Sequence, residues 1–276
     1  MTNRYAIGPN ETKQFDTATL RENFLLQKLM TPDACNLVYT HYDRMIVGGV
    51  MPAGKTIALP NEVELRAEYF LERREIGIIN VGGDGKVTTE KGSYDLTKLD
   101  CVYIGKGTKQ VSFSSNDANA PAVFYILSCP AHHEYESRKM TKEEATPSNL
   151  GSVDTANERT IYKYIHNDGI ASCQLVMGLT VLKNGSVWNT IPSHVHDRRM
   201  EAYFYFDVKE GQRVLHLMGH PQETRHLVVD NYEAIVSPPW SIHSGCGTAS
   251  YSFIWGMAGE NKDYTDMDPV SLIDLR

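Results

Sequence analysis

Short apolar runs recur along most of the chain and are separated by Gly, Asn, Asp and Pro residues. Examples from the first half lie at residues 76–81, 101–104 and 122–127. Residues 173–182 and 251–256 continue the pattern in the second half. Runs of this length, bounded by turn residues, are typical of β-strands. Strands at this spacing predict a mainly β protein, an all-β sandwich or barrel.

A helix is predicted near the N-terminus and a polar connector near the middle of the chain. Apolar residues at helical spacing run from Leu20 to about Met30, and Asp16 or Thr17 precedes them as a capping residue. Residues 131–160 are rich in charged and polar side chains, which indicates a connector with at most one or two helical turns.

The connector divides the chain into two β-rich halves of similar length. This rhythm predicts a duplicated fold of two jelly-roll β-barrels with a short N-terminal helix. We place an N-terminal barrel at residues 1–135 and a C-terminal barrel at residues 136–276. Within the first barrel, the Gly-Gly-Asp-Gly sequence at residues 82–85 predicts a hairpin.

Composition and charge narrow the class of protein. The chain has 276 residues, enough for two small domains, and a formal net charge of −7 at pH 7. No run is rich in Lys and Arg, so nucleic acid is not an expected partner. No apolar run reaches the roughly 18 residues that span a bilayer, and no signal peptide is evident, so we expect no membrane association. Five scattered Cys residues are typical of reduced thiols and predict a cytoplasmic protein.

Candidate metal ligands lie in the second half, beginning with the His-x-His pair of His194 and His196. Alternate side chains of a strand point to the same face, so these imidazoles are expected to lie together. Glu201 begins the next apolar run and His243 follows a Pro-rich turn, so both can reach the same inner wall of a barrel. A lone His is more often a packed residue than a ligand. Three imidazoles and a carboxylate, however, are the usual ligands of a catalytic divalent metal, and we predict a metal site here.

The order of these residues resembles the two sequence motifs of the cupins, which are small jelly-roll barrels. Gly185, the His-x-His pair, Glu201 and Gly211 resemble the first motif, and Pro239 with His243 resembles the second. The residues are spaced more loosely than in the commonest cupins. The resemblance implies a bicupin, in which the N-terminal cupin-like barrel has no metal and the C-terminal barrel binds one.

Longer stretches, spread over nearly the whole chain, resemble the 5-keto-4-deoxyuronate isomerase family. They lie at residues 43–52, 69–77, 103–107, 173–180, 188–190, 194–206, 221–226, 240–245 and 253–257. The resemblance implies one zinc ion per subunit, held by His194, His196, Glu201 and His243. It also implies a hexameric aldose–ketose isomerase of pectin and polyuronate degradation. Its reaction would convert 5-dehydro-4-deoxy-D-glucuronate to 3-deoxy-D-glycero-2,5-hexodiulosonate.

Such an isomerase requires more than a metal ion. A base must move a proton between adjacent carbons, and a cation should hold the substrate carboxylate. Glu223 is a candidate base, with Arg225 beside it as a candidate partner of the carboxylate. Arg199, in the turn after the His pair, is a second candidate cation. Tyr203 and Tyr205 share the strand face of the predicted carboxylate ligand, so their hydroxyls are candidates for binding substrate.

Three alternatives remain open at this point. A cupin isomerase of related specificity would act on another sugar acid, such as 5-deoxyglucuronate. The same ligands also permit an iron-dependent dioxygenase. A non-catalytic, sugar-binding cupin would hold a structural metal in a closed four-ligand site. In the isomerase hypotheses the partner is a small uronate-derived substrate, and a homo-oligomer is expected.

Overall fold

The computed structural model describes all residues from Met1 to Arg276, and it confirms the prediction of a mainly β protein. The elements of the first half are β1 (Thr2–Arg4), α1 (Pro9–Thr12), α2 (Thr17–Phe24), β2 (Leu25–Leu26), β3 (Cys35–Thr40), β4 (Ile46–Val50), β5 (Ile57–Ala58), β6 (Arg74–Asn80), β7 (Gly85–Thr89), β8 (Gly92–Leu96), β9 (Cys101–Ile104), β10 (Val111–Ser115) and β11 (Phe124–Pro130). Those of the second half are β12 (Arg138–Met140), β13 (Ser148–Leu150), β14 (Arg159–Ile165), β15 (Val176–Leu182), β16 (Trp188–Asn189), β17 (His194–Val195), β18 (Arg199–Phe206), β19 (Val214–His220), β20 (Glu223–Val229), β21 (Ala234–Ser237), β22 (Ser244–Gly247), β23 (Ser252–Gly259) and β24 (Asp268–Pro269). Two 3₁₀ turns lie at Val63–Leu65 and Leu272–Asp274.

Each half forms a sandwich of a seven-stranded and a four-stranded sheet. In the first half the strand orders are β1-β3-β4-β11-β6-β9-β12 and β5-β10-β7-β8. In the second half they are β13-β14-β15-β23-β18-β21-β2 and β16-β22-β19-β20, and β17 pairs with β24 in a separate small sheet. Each strand of the two large sheets of one half thus has a counterpart at the same place in the other, whereas the pair β17 and β24 occurs only in the second half. This matched order is what duplication of a jelly roll would produce.

Strand β6 shows why many of the runs are continuously apolar. Successive side chains of a strand point to opposite faces of the sheet. Ile76 and Ile78 belong to the core of the first sandwich, whereas Ile79 packs in the core shared with the second half. All seven residues of β6 are buried because both faces are covered. Across this shared core the rings of Tyr125 and Phe204 stack with their centroids 4.4 Å apart.

Each half also places a strand in the seven-stranded sheet of the other half. β2, from the start of the chain, pairs with β21, and β12, from the connector, pairs with β9. The buried Glu75 carboxylate joins the halves again, because it accepts hydrogen bonds of 2.7, 2.9 and 2.9 Å from the backbone N–H groups of Cys173, Gln174 and Leu175. The boundary between residues 135 and 136 stays a prediction, and strand pairing crosses it in both directions.

Helix α2 begins as predicted and ends earlier than predicted. The Asp16 side chain caps it by accepting a hydrogen bond of 2.8 Å from the Thr19 N–H. The helix ends at Phe24 and not near Met30, because the next two residues are extended and pair with β21. Sheet pairing overrides helical spacing at this point. Helix α2 has eight residues, and no helix of the structure is long and apolar enough to cross a bilayer.

One prediction about turns is wrong. The Gly-Gly-Asp-Gly sequence does not form a hairpin, because β6 and β7 lie in different sheets. The Asn80 side chain closes the end of β6 by donating to the carbonyls of Gly83 and Leu96, and the chain then crosses to the other sheet. The polar connector contains β12, β13 and the start of β14, and a single turn in which the Ala145 N–H donates to the carbonyl of Thr141 at 3.2 Å.

Candidate metal centre

Four side chains from different elements converge inside the second sandwich. His194 lies in β17, and His196 directly follows that strand. Glu201 lies in β18 of the seven-stranded sheet, and His243 directly precedes β22 of the four-stranded sheet. Because the two sheets face each other, their side chains meet between them. One ligand atom from each of the four residues lies within 4.8 Å of the others.

The spacing of these atoms is that of a coordination site. Nε2 of His194 lies 3.1 Å from Nε2 of His196 and 3.0 Å from Nε2 of His243. Oε2 of Glu201 lies 3.0 Å from Nε2 of His196 and 3.0 Å from Nε2 of His243. A tetrahedral ion with bonds of about 2.05 Å would separate its ligand atoms by about 3.3 Å. The side chains therefore already lie close to the arrangement that a metal ion requires.

Backbone carbonyls fix which nitrogen of two imidazoles faces the cluster. Nδ1 of His196 donates to the carbonyl of Asp266 at 2.8 Å, and Nδ1 of His243 donates to that of Ser241 at 3.3 Å. With the proton on Nδ1, the Nε2 lone pair points toward the other ligands. Burial lowers the pKa of His194 to about 3, and the neighbouring His243 adds to the effect, so this ring is neutral at pH 7.

The fourth ligand is a carboxylate that stays ionised in a buried position. Burial raises the pKa of Glu201, but interaction with His243 and His196 outweighs burial and holds the pKa well below its usual range. Three imidazole lone pairs and one carboxylate oxygen directed at the same point would repel one another without a cation between them. Their chemistry fits a divalent metal ion, and the buried cluster can hold one.

Arg199 lies behind the cluster. Its side chain is fully buried, and its guanidinium donates to the backbone carbonyls of Asp263 and Asp266 at 2.6 Å each. The Asp266 carbonyl thus accepts from both Arg199 and His196, which holds the imidazole in place. Arg199 was predicted to contact a substrate carboxylate. Its guanidinium is turned toward the backbone, and its side chain does not line the cavity over the cluster.

A cavity of about 320 Å³ lies over the cluster. This volume is within the range of about 300–1,000 Å³ that is usual for small-molecule sites. Three of the four candidate ligands line it, namely His194, His196 and Glu201. Its polar wall continues with Arg159, Thr180, Thr190, Tyr203 and Tyr264. A small molecule in this cavity would therefore contact the metal position directly.

Tyr203 and Tyr205 share one face of β18, as predicted, but only Tyr203 lines the cavity. The Tyr203 hydroxyl lies 3.1 Å from Oγ1 of Thr190. Two residues along a strand span about 6.6 Å, so Tyr205 lies deeper in the sandwich. There its hydroxyl is 2.7 Å from Nδ1 of His216, away from the cavity. The structure thus assigns the two tyrosines to different layers.

Arg159 is a cavity residue that no local sequence pattern predicted. It begins β14 and is the one Lys or Arg side chain that lines the cavity. Nη1 donates to the carbonyl of Asn157 at 2.9 Å, and the guanidinium forms no ion pair with a carboxylate of the protein. Burial lowers its pKa, and the nearby Tyr264 and Tyr203 partly counter the effect. Only strand order could have revealed this residue, since β14 is far from the His pair in sequence.

Glu223 and Arg225 lie outside the cavity. The Glu223 carboxylate pairs with Arg225 at 2.8 Å and approaches Lys13 at 3.9 Å. Both line a small separate recess beside Trp240. A base must lie within hydrogen-bond reach of the proton that it takes. The structure therefore does not bring the predicted base and its neighbouring arginine to the site.

The fold and the site together define a cupin-like protein with a candidate metal centre. The model of the KduI/IolB family matches residues 25–270, and the chain belongs to this family. The 4-deoxy-L-threo-5-hexosulose-uronate ketol-isomerase of Halalkalibacterium halodurans is 54% identical over 276 residues, which are 100% of both chains. The enzyme of the same name from Shouchella clausii is 53% identical over 273 residues, 99% of both chains.

Solved structures support the fold alone. An IolB-like protein from Salmonella typhimurium LT2 matches with a TM-score of 0.73 at 15% identity, covering 90% of this chain and 97% of that chain. An oxalate decarboxylase from Lactobacillus farciminis matches with a TM-score of 0.56 at 10% identity, covering 83% and 79%. Both matches extend over most of the chain, so they concern both sandwiches.

Proposed function

We propose that the protein is a metal-dependent ketol-isomerase that converts 5-dehydro-4-deoxy-D-glucuronate to 3-deoxy-D-glycero-2,5-hexodiulosonate. The observation that carries the proposal is the 54% identity with a ketol-isomerase over the full length of both chains. The buried His–Glu cluster beneath an open cavity supports it, because an aldose–ketose isomerisation requires a group that polarises a carbonyl.

The metal is proposed to be Zn²⁺, with one ion per chain. His194, His196, Glu201 and His243 would hold it, since zinc favours nitrogen and oxygen ligands at tetrahedral spacing. When bound, the ion supplies a Lewis acid that polarises the substrate carbonyl. The hydrogen bonds from His196 and His243 to backbone carbonyls keep both rings oriented whether or not substrate is present.

Arg159 is proposed to hold the carboxylate of the substrate. A guanidinium offers five donors in a planar fork that matches a carboxylate, and only one Arg159 nitrogen is engaged by the protein. Tyr203 and Tyr264 line the same cavity, and burial raises the pKa of both phenols. Both hydroxyls therefore keep their protons at neutral pH and donate to oxygen atoms of the substrate.

Proton NMR of the deoxy-keto-uronate in D₂O, with zinc-loaded protein, tests this function. We expect conversion by the wild type and its loss in His243→Ala. Arg159→Gln should lower kcat/KM by about 10- to 100-fold, which corresponds to the roughly 1.5–3 kcal/mol of a hydrogen bond to a charged group. Arg138→Gln, at an exposed arginine of β12, makes the same change of charge away from the cavity and should retain activity.

Other outcomes would identify a different function. No conversion by folded, zinc-loaded protein would contradict the proposed substrate. Conversion of 5-deoxyglucuronate alone would identify the related isomerase, and oxygen uptake with an iron-loaded sample would identify a dioxygenase. Binding of sugar acids without turnover would indicate a non-catalytic cupin.

The cellular setting is part of the same proposal. We propose a cytoplasmic enzyme of pectin and polyuronate degradation that works as a homo-oligomer, specifically a hexamer. All five cysteines are free, which fits a reducing compartment. Light scattering after size exclusion measures the oligomer, and a mass equal to one chain would contradict a hexamer.

A further inference from the structure

The first sandwich has a cavity of its own, and strand pairing relates it to the metal centre. Arg74, the first residue of β6, pairs with Pro130, the last residue of β11. In the second half Arg199, the first residue of β18, pairs with Gly259, the last residue of β23. Arg74 and Arg199 therefore occupy equivalent positions. Two residues farther along each strand, Ile76 of the first half is equivalent to Glu201, the candidate carboxylate ligand of the second half.

The two equivalent arginines differ in what satisfies them. The Arg199 guanidinium is covered by backbone carbonyls and lies 4.0 Å from the Asp266 carboxylate. Arg74 has no carboxylate partner. Its Nε donates to Oγ of Ser128 at 3.1 Å, and its Nη2 donates to the carbonyls of Arg44 and Ser128 at 2.6 and 2.8 Å. Its Nη1 makes no hydrogen bond within the protein.

A buried charge without an ion-pair partner is costly, so this arrangement requires an explanation. Arg74 is only 6% exposed. Burial lowers its pKa to about 10, which still leaves the guanidinium charged at neutral pH. The nearby buried Glu75 carboxylate raises the pKa of Arg74 but forms no ion pair with it. A charged donor that the protein leaves free, at the wall of a cavity, is suited to an anion from outside the chain.

The cavity itself has room for a small organic molecule, at about 450 Å³. Its charged lining consists of Arg73, Arg74 and Glu64, which leaves one net positive charge. Tyr39 also lines it, and its ring centroid lies 5.9 Å from the Arg74 guanidinium carbon. His41 and Asn3 add polar groups to the wall. One net positive charge beside an aromatic face and polar groups favours a monoanion with a hydroxylated body over a phosphate.

We propose that this cavity binds a sugar acid, with the ligand's carboxylate on Arg74 and its body against Tyr39. The site lies in the first sandwich and shares no lining residue with the cavity over the metal centre. It therefore does not depend on the proposed reaction, and it gives the metal-free half a ligand of the same chemical class.

Isothermal titration with D-gluconate tests the proposal. Gluconate is a hydroxylated carboxylate without an aldehyde or ketone group, so the proposed reaction cannot consume it. D-glucose serves as the neutral probe and inorganic phosphate as the alternative anion. Each titration is made with the full-length protein and repeated with Arg159→Gln, in which binding at the other cavity is weakened.

Two variants address the new cavity in different ways. Arg74→Met removes the free donor, and Ala67→Phe fills the space while keeping Arg74. Both should raise the dissociation constant for gluconate at least tenfold and leave metal content unchanged. Arg138→Gln again matches the change of charge and should bind as the wild type does. Ala67 lies in a bend outside the sheets, so its variant decides the question if Arg74→Met fails to fold.

Each outcome of these titrations either supports or overturns the proposed sugar-acid site. Gluconate binding that persists in Arg159→Gln and is lost in Ala67→Phe, with no binding of glucose, supports the site. The proposal is overturned by no gluconate binding in the wild type, by complete loss of binding in Arg159→Gln, or by wild-type affinity in Ala67→Phe. Phosphate binding that depends on Arg74, without gluconate binding, would overturn the assignment of a carboxylate ligand.

Discussion

The two halves of the chain share one strand order and differ in the chemistry at the same end of the sandwich. In the second half that end carries a His–Glu cluster, and in the first half the position equivalent to Glu201 is Ile76. Apolar strand residues preserve the sandwich in both. Polar residues at a few positions are what give the second half a cluster that can hold a metal ion.

A second difference between the halves is the segment that follows the last strand of each. After β23 the chain returns over the second sandwich, where Asp266 accepts hydrogen bonds from His196 and Arg199, and β24 pairs with β17. After β11 no segment accepts hydrogen bonds from the Arg74 guanidinium. The metal centre thus depends on residues outside the barrel as well as on its wall.

Loss of a ligand should give the largest effect. Replacing the outer partners of a metal ligand costs about 10–100-fold in affinity or activity, and losing the ligand itself should cost more. We expect His243→Ala to abolish both bound zinc, measured by mass spectrometry of the metal, and turnover. Ile76→Val on the equivalent wall of the first half should cost only about 0.5–1.5 kcal/mol of stability and leave metal content intact. Zinc retained by His243→Ala would show that His243 is not needed to hold the ion.

Metal removal should destabilise one half selectively. An ion present at about a thousand times its dissociation constant stabilises the folded state by about 4 kcal/mol. After chelation we expect faster hydrogen exchange in β18 and around His243, with β6 unchanged. Equal loss of protection in β6 would show that the halves open together and that the shared core, rather than the site, controls local stability.

Glu75 tests the connection between the halves. Besides three backbone N–H groups, it accepts hydrogen bonds from the Tyr103 hydroxyl at 2.8 Å and the Cys129 thiol at 3.3 Å. Glu75→Ala would leave these buried donors without an acceptor, so we expect a loss of about 3 kcal/mol in the free energy of unfolding, measured by urea denaturation. Glu72→Ala, nearby and more exposed, should stay within about 0.5 kcal/mol. Equal effects of the two would refute a structural role for Glu75.

The smallest effect is expected to be stabilising. The Tyr125 hydroxyl is buried and has no hydrogen-bond partner. Tyr125→Phe removes an unsatisfied polar group and keeps the stacking on Phe204, so we expect a gain of about 1 kcal/mol. Tyr103→Phe, which loses its bond to Glu75, should change stability in the opposite direction. A loss of stability in Tyr125→Phe, measured by thermal denaturation, would show that this hydroxyl contributes to the fold.

Local pattern predicted the metal cluster well because its chemistry is concentrated in a short stretch. Strand alternation predicted that His194 and His196 lie together, and Glu201, shortly after, was expected to face them from a neighbouring strand. His243 is distant in sequence, but its position after a Pro-rich turn identified it as a candidate ligand. The same reasoning predicted the mainly β fold, because turn residues interrupt apolar runs along nearly the whole chain.

Residues that depend on long-range packing could not be found in this way. Arg159 reaches the cavity because β14 lies beside β15 in the seven-stranded sheet, which no local pattern encodes. Arg199 shares the strand alternation of Glu201, yet the C-terminal segment covers its guanidinium. Glu223 belongs to a polar stretch of suitable composition, but it begins β20, and the hairpin of β19 and β20 places it outside the cavity. In each case the tertiary structure determines whether the residue reaches the cavity, which its residue type alone does not predict.

The exchange of β2 and β12 between the sheets determines which pieces of this chain can exist alone. A polypeptide ending before β12 would leave the edge of β9 unpaired, and one beginning after β2 would leave the edge of β21 unpaired. Open sheet edges promote aggregation, so neither fragment is expected to be a smaller working protein. Co-expressed fragments would instead restore each other's missing strand. The stable unit is therefore the pair of barrels, not the single barrel.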